Sequence, residues 1–176
     1  RCASFITRNH DGQLADHLPD PDLYQQFVDA GSTIAACYES REYSRAMREI
    51  MRLADLANQY IDTHKPWVLA KSDDMRADVQ PVCTQGLNCF RALAGYLAPV
   101  LPALAEKTRA LFNETAWDWQ SATQPKRAST IAPFQSMLSR VDGKQVTAMV
   151  EASAESTESS ESERPALDLA AEIDIN

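Results

Sequence analysis

The sequence predicts an all-α fold, a bundle of about five helices followed by a disordered acidic C-terminal tail. Three observations carry that expectation. Apolar residues recur every three or four positions in successive segments, no stretch alternates apolar and polar residues over a strand's length, and the 176 residues include only 5 glycines. Hydrophobic residues make up 44% of the chain, enough to fill a core.

The opening residues, 1 to 10, carry scattered apolar side chains without a cap and read as a piece cut within a helix. Asp11-Gly12 punctuates, and His17-Leu-Pro-Asp-Pro-Asp22 is a turn that starts a helix, with Asp20 able to cap and Pro21 at the first helical position. From there Leu23, Phe27, Ala30, Ile34, Cys37 and Tyr38 line one face. Ser40 is the expected cap of the next helix, whose stripe is Tyr43, Met47, Ile50, Ala54, Ala57, Tyr60 and Ile61. That helix must end by Lys65, because Pro66 excludes the right-handed helical conformation from its predecessor. A polar break at Ser72-Asp-Asp74 precedes a long helix reaching about Leu97, which either begins at Pro81 or kinks there. Pro99 and Pro102 bracket a corner into a helix from Ala103 to Phe112. Residues 113 to 135, with Trp117 and Trp119, have no clear period and read as a connector laid over the surface, their aromatics given to packing. A last helix is expected over Val141 to Ala154. Beyond it Ser153 to Arg164 is nearly free of apolar residues and cannot offset the entropy of ordering.

Net charge is -8, but it is unevenly placed. Residues 151 to 176 hold eight acids against Arg164 alone, leaving 17 acids and 16 bases in residues 1 to 150. A body so close to neutral binds nucleic acid only through a local patch. The four cysteines Cys2, Cys37, Cys83 and Cys89 form no Cys-x-x-Cys pair and read as inert thiols, and the three histidines lack spacing partners for metal or catalysis. No apolar run is long enough for a membrane span, and no secretory leader opens the chain, so a cytoplasmic location is expected.

The most informative stretch is Asn58-Gln-Tyr-Ile-Asp-Thr-His-Lys-Pro-Trp-Val-Leu-Ala-Lys71. A helix runs into Pro66, and the Trp67 indole is set just past the break. Such a ring either plugs the end of the bundle or offers a face on which an unpaired base stacks, worth roughly 1–3 kcal/mol. Lys65 and Lys71 on either side are a solvated edge or a source of phosphate attraction, and Asn58 and Asp62 lie one helical turn apart on a face leading to the tryptophan.

That run closely resembles the signature of the anticodon-binding domain of methionyl-tRNA synthetases. The resemblance extends from Arg1 to about Ala152, through the Ser40–Ile50 and Leu53–Asn58 blocks, Leu97-Ala-Pro-Val-Leu-Pro102, Pro133-Phe134 and Arg140-Val141. It implies a domain of the class I synthetase anticodon-binding type over residues 1–152, with 153–176 a linker toward an absent C-terminal domain. It further implies recognition of the CAU anticodon of methionine tRNA. Trp67 would stack on the first anticodon base with Pro66 fixing its backbone, Arg1 would contact the same base, and Lys71 would attract backbone phosphate. Asn58 and Asp62 would complete the site, with Asp62 repelling wrong anticodons. The full-length family member is a methionine-tRNA ligase and a possible homodimer, whose ATP, magnesium and zinc belong to a catalytic portion outside this chain; no cofactor is expected within it. From the residues alone two rivals stay open, a helical adaptor that docks a protein partner and a bundle enzyme with inward-facing carboxylates.

Overall fold

The computed structural model describes residues 1–72, 76–138 and 142–162. Its elements are α1 (Cys2–Asn9), α2 (Pro21–Glu39), α3 (Tyr43–His64), the single turn α4 (Pro66–Leu69), α5 (Arg76–Tyr96), α6 (Pro102–Leu111), a 3-10 turn (Trp119–Thr123) and α7 (Gly143–Ser162). Among the described residues the one β pairing is an isolated bridge between Gln13 and Thr130. The chain divides into two units, Arg1–Met137 and a second that starts at Leu138.

In the first unit α5 is the hub, touching α1, α2, α3, α4, α6 and the 3-10 turn. It is central because residues on most of its sides are buried, the apolar Val79, Val82, Cys83, Leu87, Cys89, Ala92, Leu93 and Tyr96 together with the polar Thr84, Gln85, Asn88 and Arg91. On one side these join Phe27 and Ile34 of α2 and Ile50 and Leu53 of α3 in the larger core. On the other, Val79, Cys83 and Leu87 meet Ala3 and Ile6 of α1, Leu111, Phe112 and Ile131 in a second cluster.

Helix starts follow local chemistry. Asp20 caps α2, its carboxylate accepting from the Leu23 N–H at 2.9 Å with Pro21 at the first position, as the sequence predicts. Ser40 does not cap α3. It ends α2 instead, its hydroxyl donating to the Ala36 carbonyl at 2.8 Å, and the chain reverses through Arg41 at φ 62° before α3 starts behind Glu42. A serine hydroxyl is free to serve either neighbour, and here the preceding carbonyl wins. Nor does the long helix begin at Pro81: α5 starts at Arg76 and takes the proline inside it. The missing N–H leaves the Ala77 carbonyl without its helical donor, a loss offset by the burial of Val79, Val82 and Cys83 on either side.

The 113–135 connector is fastened rather than merely laid down. Buried Arg91 donates to both carboxylate oxygens of Glu114, at 2.9 and 2.6 Å, and to the carbonyls of Ser121 and Gln124. Asn88 accepts from the Lys126 N–H at 2.6 Å and donates to the Lys126 carbonyl at 2.9 Å. Trp119 packs on Tyr96 with ring centroids 5.0 Å apart and donates to the Gly31 carbonyl, and Trp117 lies over Gly95. Both tryptophans are thus packing groups.

In the second unit α7 runs to Ser162, eight residues beyond the expected Ala154. Its last part, from Ser153, lies in the run expected without order, and alanine and glutamate there are good helix formers. Every side chain from Asp142 to Ser153 is exposed. Residues 163–176, the rest of the expected disordered tail, lie outside the described residues.

Candidate nucleic-acid interface

The backbone turns sharply at Lys65, and that turn builds the site. Its N–H closes α3 by donating to the Ile61 carbonyl at 2.9 Å, yet its own φ of 45° and ψ of 62° are left-handed. The Lys65 carbonyl then accepts from the N–H groups of Val68, at 2.7 Å, and Leu69, at 3.2 Å, so the next turn starts at once in a new direction. Pro66, at its first position, is buried, and Leu69 packs against both hydrophobic clusters. With those two residues turned inward, Trp67 is left half-buried and Val68 46% exposed. The indole is therefore neither sealed in the core nor bare: one part is braced and the remainder faces water.

Arg1 reaches the same place from α1. Its guanidinium carbon lies 5.8 Å from the centroid of the Trp67 ring, within cation–π range, although the two residues sit on different helices. The start of α1 is held by Ala3 and Ile6, buried against α5. Cys2 beside Arg1 enters a notch at Gly86, where an added Cβ would lie 2.7 Å from Ile61 Cδ1 and 3.6 Å from the Cys2 sulfur. The absence of a side chain at Gly86 is what lets α1, α3 and α5 approach so closely beneath the site.

Asn58 and Asp62 are exposed on the last turns of α3, and Lys71 is exposed just past α4. Of the six residues the sequence singles out, Arg1 and Trp67 are in contact, Pro66 is the buried footing, and Asn58, Asp62 and Lys71 are exposed, the first two on α3 and the third just past α4. His64, the last residue of α3, stacks on Tyr60 at 4.1 Å and bonds the Tyr60 carbonyl through Nδ1, which leaves it a bracing role. The exposed ridge of α3 continues away from the site through Gln59, Asp55, Arg52, Arg48 and Arg45, spaced three or four residues apart; Arg52 and Arg45 are paired with Glu49 and Glu42. Sequence reasoning missed Lys65's conformation and Gly86's notch. The Lys-Pro pair carried a signal for the first, and nothing local signals the second.

Among the described residues no group of three or more histidine, cysteine or acidic side chains is gathered to hold a metal, and no helix is long and apolar enough to cross a membrane. What the arrangement offers chemically is an aromatic face, a planar cation against it and polar groups around it. Such a set suits a flat, hydrogen-bonding ligand such as an unpaired base.

The family model described as the anticodon binding domain of methionyl tRNA ligase matches residues 16–139, which include Trp67 and stop short of Arg1. Among solved structures the chain is similar to the apo form of Mycobacterium tuberculosis methionyl-tRNA synthetase, with a TM-score of 0.70 and 19% identity over 81% of this chain. It is similar also to the form of that enzyme bound by methionyl-adenylate, with a TM-score of 0.70 and 20% identity over 79% of this chain. The chain spans only 30% and 29% of the lengths of those two structures. At such identities the likeness is one of fold.

Proposed function

The chain belongs to the anticodon-binding domain family of methionyl-tRNA ligase, and from that premise we propose that it reads the CAU anticodon of methionine tRNA through Trp67 and Arg1. The observation that carries this reading is the half-buried indole of Trp67 with a guanidinium 5.8 Å from its centre. The first anticodon base stacks on Trp67, and Arg1 covers it and hydrogen-bonds its edge. Stacked contacts on both faces of a base need roughly 7 Å between the flanking planes, so the guanidinium gives way by about 1 Å or slides aside as the base enters. Pro66 fixes the ring's footing, Asn58 and Asp62 border the base, with the Asp62 carboxylate disfavouring wrong anticodons, and Lys71 attracts backbone phosphate.

The whole protein of which this domain is part then attaches methionine to tRNA in an ATP-dependent reaction for protein synthesis. In this proposal it works in the cytoplasm, with ATP, magnesium and zinc held by residues outside this chain.

The test is binding of the 176-residue chain to a CAU stem-loop and to one with an altered first base, followed by fluorescence anisotropy. Trp67→Ala should remove most of the discrimination between them, roughly 1–3 kcal/mol, whereas Lys71→Ala should weaken both alike. Equal losses on the two stem-loops in the Trp67 variant would refute the stacking role.

A further inference from the structure

Cys2 and Cys83 are brought together by the packing of α1 on α5, and base recognition uses neither. Cys83 is fully buried, Cys2 is partly buried on the first turn of α1, and both pack in the smaller cluster, where each thiol perturbs the ionisation of the other. Gly86, one turn beyond Cys83 on the same face of α5, is the notch that admits the Cys2 sulfur, and Ile61 of α3 closes it from the other side. The two sulfurs therefore meet at a three-helix junction, directly behind the residue whose guanidinium covers Trp67. The hydrogen bond from Cys83 draws the Cys2 thiol below its ordinary range, against the upward push of burial, while the same bond and burial hold Cys83 protonated. The more accessible sulfur is thus the one that ionises, and the enclosed one is placed to resolve it. Cys37 and Cys89 are buried in the other, larger cluster.

We propose that Cys2 and Cys83 are an oxidisable dithiol, which hydrogen peroxide converts to an intramolecular disulfide that pins the start of α1 to α5. The Cys2 sulfur attacks one peroxide oxygen; the O–O bond breaks, and the departing hydroxide takes up the Cys2 proton as water, leaving a sulfenic acid. The Cys83 sulfur then attacks the Cys2 sulfur, the S–O bond breaks, and hydroxide leaves with the Cys83 proton as a second water. Two electrons pass from the sulfurs to the peroxide. A disulfide bond of about 2.05 Å is far shorter than any thiol–thiol hydrogen bond, so closing it draws the first turn of α1 inward. The consequence for RNA rests on the proposed role of Arg1: a pinned α1 resists the opening that a base needs, and the oxidised chain binds a CAU stem-loop more weakly.

The experiment treats the whole chain with hydrogen peroxide, maps its peptides by mass, and measures stem-loop affinity before and after, with reversal by dithiothreitol. Expected are a peptide linking Cys2 to Cys83 that is absent from Cys2→Ser and Cys83→Ala, and an affinity about fivefold lower in the oxidised chain, the low end of coupling between linked sites. Cys2→Ser alone serves as control if the core variant does not fold, and its affinity should ignore peroxide. Over-oxidation of Cys2 with no link to Cys83, or links through Cys37 or Cys89, would overturn the dithiol. A Cys2–Cys83 link without change in affinity would overturn its coupling to Arg1. Failure of the anticodon assignment would show separately, as a reduced chain that binds no stem-loop, and the peptide map would still decide the disulfide.

Discussion

Lys65 is where the direction of the Trp67 turn is set, and two substitutions there isolate the backbone from the charge. A left-handed conformation in an L-residue costs roughly 1–2 kcal/mol, and Lys65 adopts it at φ 45° because Pro66 excludes the right-handed helix. The residue is hydrogen-bonded on both sides of the reversal, from its N–H to Ile61 and from its carbonyl to Val68 and Leu69, so the conformation is fixed by its surroundings. Its side chain is exposed. Lys65→Ala therefore removes the charge and keeps the clash of Cβ, while Lys65→Gly removes both. Glycine regains about 1–2 kcal/mol of strain and loses about 0.5–1 kcal/mol to the greater freedom of its unfolded chain, which leaves it about 0.5–1 kcal/mol more stable than alanine. For a cooperative unit of this size that difference is a rise in Tm of about 2–4 °C, to be read by thermal and urea unfolding of the two variants side by side. Lys65→Val, stiff at Cβ, should fall below both. A glycine variant no more stable than the alanine one would mean that the turn carries no strain, and the derivation of the Trp67 platform from Lys65 and Pro66 would be wrong.

Glu114→Ala strands the Arg91 guanidinium, only 3% exposed, and should destabilise the first unit by about 3–5 kcal/mol in urea unfolding while the folded fraction keeps its stem-loop affinity. Gly31→Ala would set a methyl 2.9 Å from the Tyr96 hydroxyl, which donates to the Phe27 carbonyl at 2.7 Å, and a loss of about 1–3 kcal/mol is expected from the same measurement. Burial lowers the pKa of His10 below 6.5, so the folded chain resists its protonation and stability falls as pH drops through the unfolded value. His10→Gln should flatten Tm between about pH 7 and pH 5, where histidine is the side chain that titrates. A second loss of stability, below about pH 4, should remain in that variant, because the Glu49, Asp16 and Asp118 carboxyls are held low by hydrogen bonds from Arg52, His17 and Ser121.

Helical periodicity and proline positions made most of the bundle legible. The stripes of α2, α3 and α5 predict which faces are buried, and Pro66 alone predicts where α3 stops. What the sequence hid were choices between equal local options and contacts between distant residues. Ser40 could serve either helix, and the Ala36 carbonyl took its hydroxyl. Pro81 reads as a start or a kink, and the helix begins five residues before it, at Arg76. Arg91, lying within an apolar stretch, gives no hint that its partners are Glu114 and two carbonyls of the connector. The same holds for the site. Trp67 and Arg1 stand far apart in the chain, and family resemblance rather than period or spacing suggested their contact. Cys2 and Cys83, likewise far apart in the chain, share a cluster only through the packing of α1 on α5.

A body of 17 acids and 16 bases has little long-range field with which to gather RNA, so discrimination must come from shape at short range, and shape must be held stiffly. The packing supplies that stiffness from two directions. Arg1 is carried by a helix whose buried residues belong to the smaller cluster, and Trp67 by a turn whose Leu69 is shared between both clusters. Their separation is therefore set across α5 at the Gly86 notch, where Cys2 of α1 and Ile61 of α3 converge. A change in either core that moves α1 relative to α3 alters the gap between Arg1 and Trp67, where the proposed base would fit, without touching those two residues themselves. The specificity of this module then depends on its helix junction as directly as on the two side chains that would face the RNA.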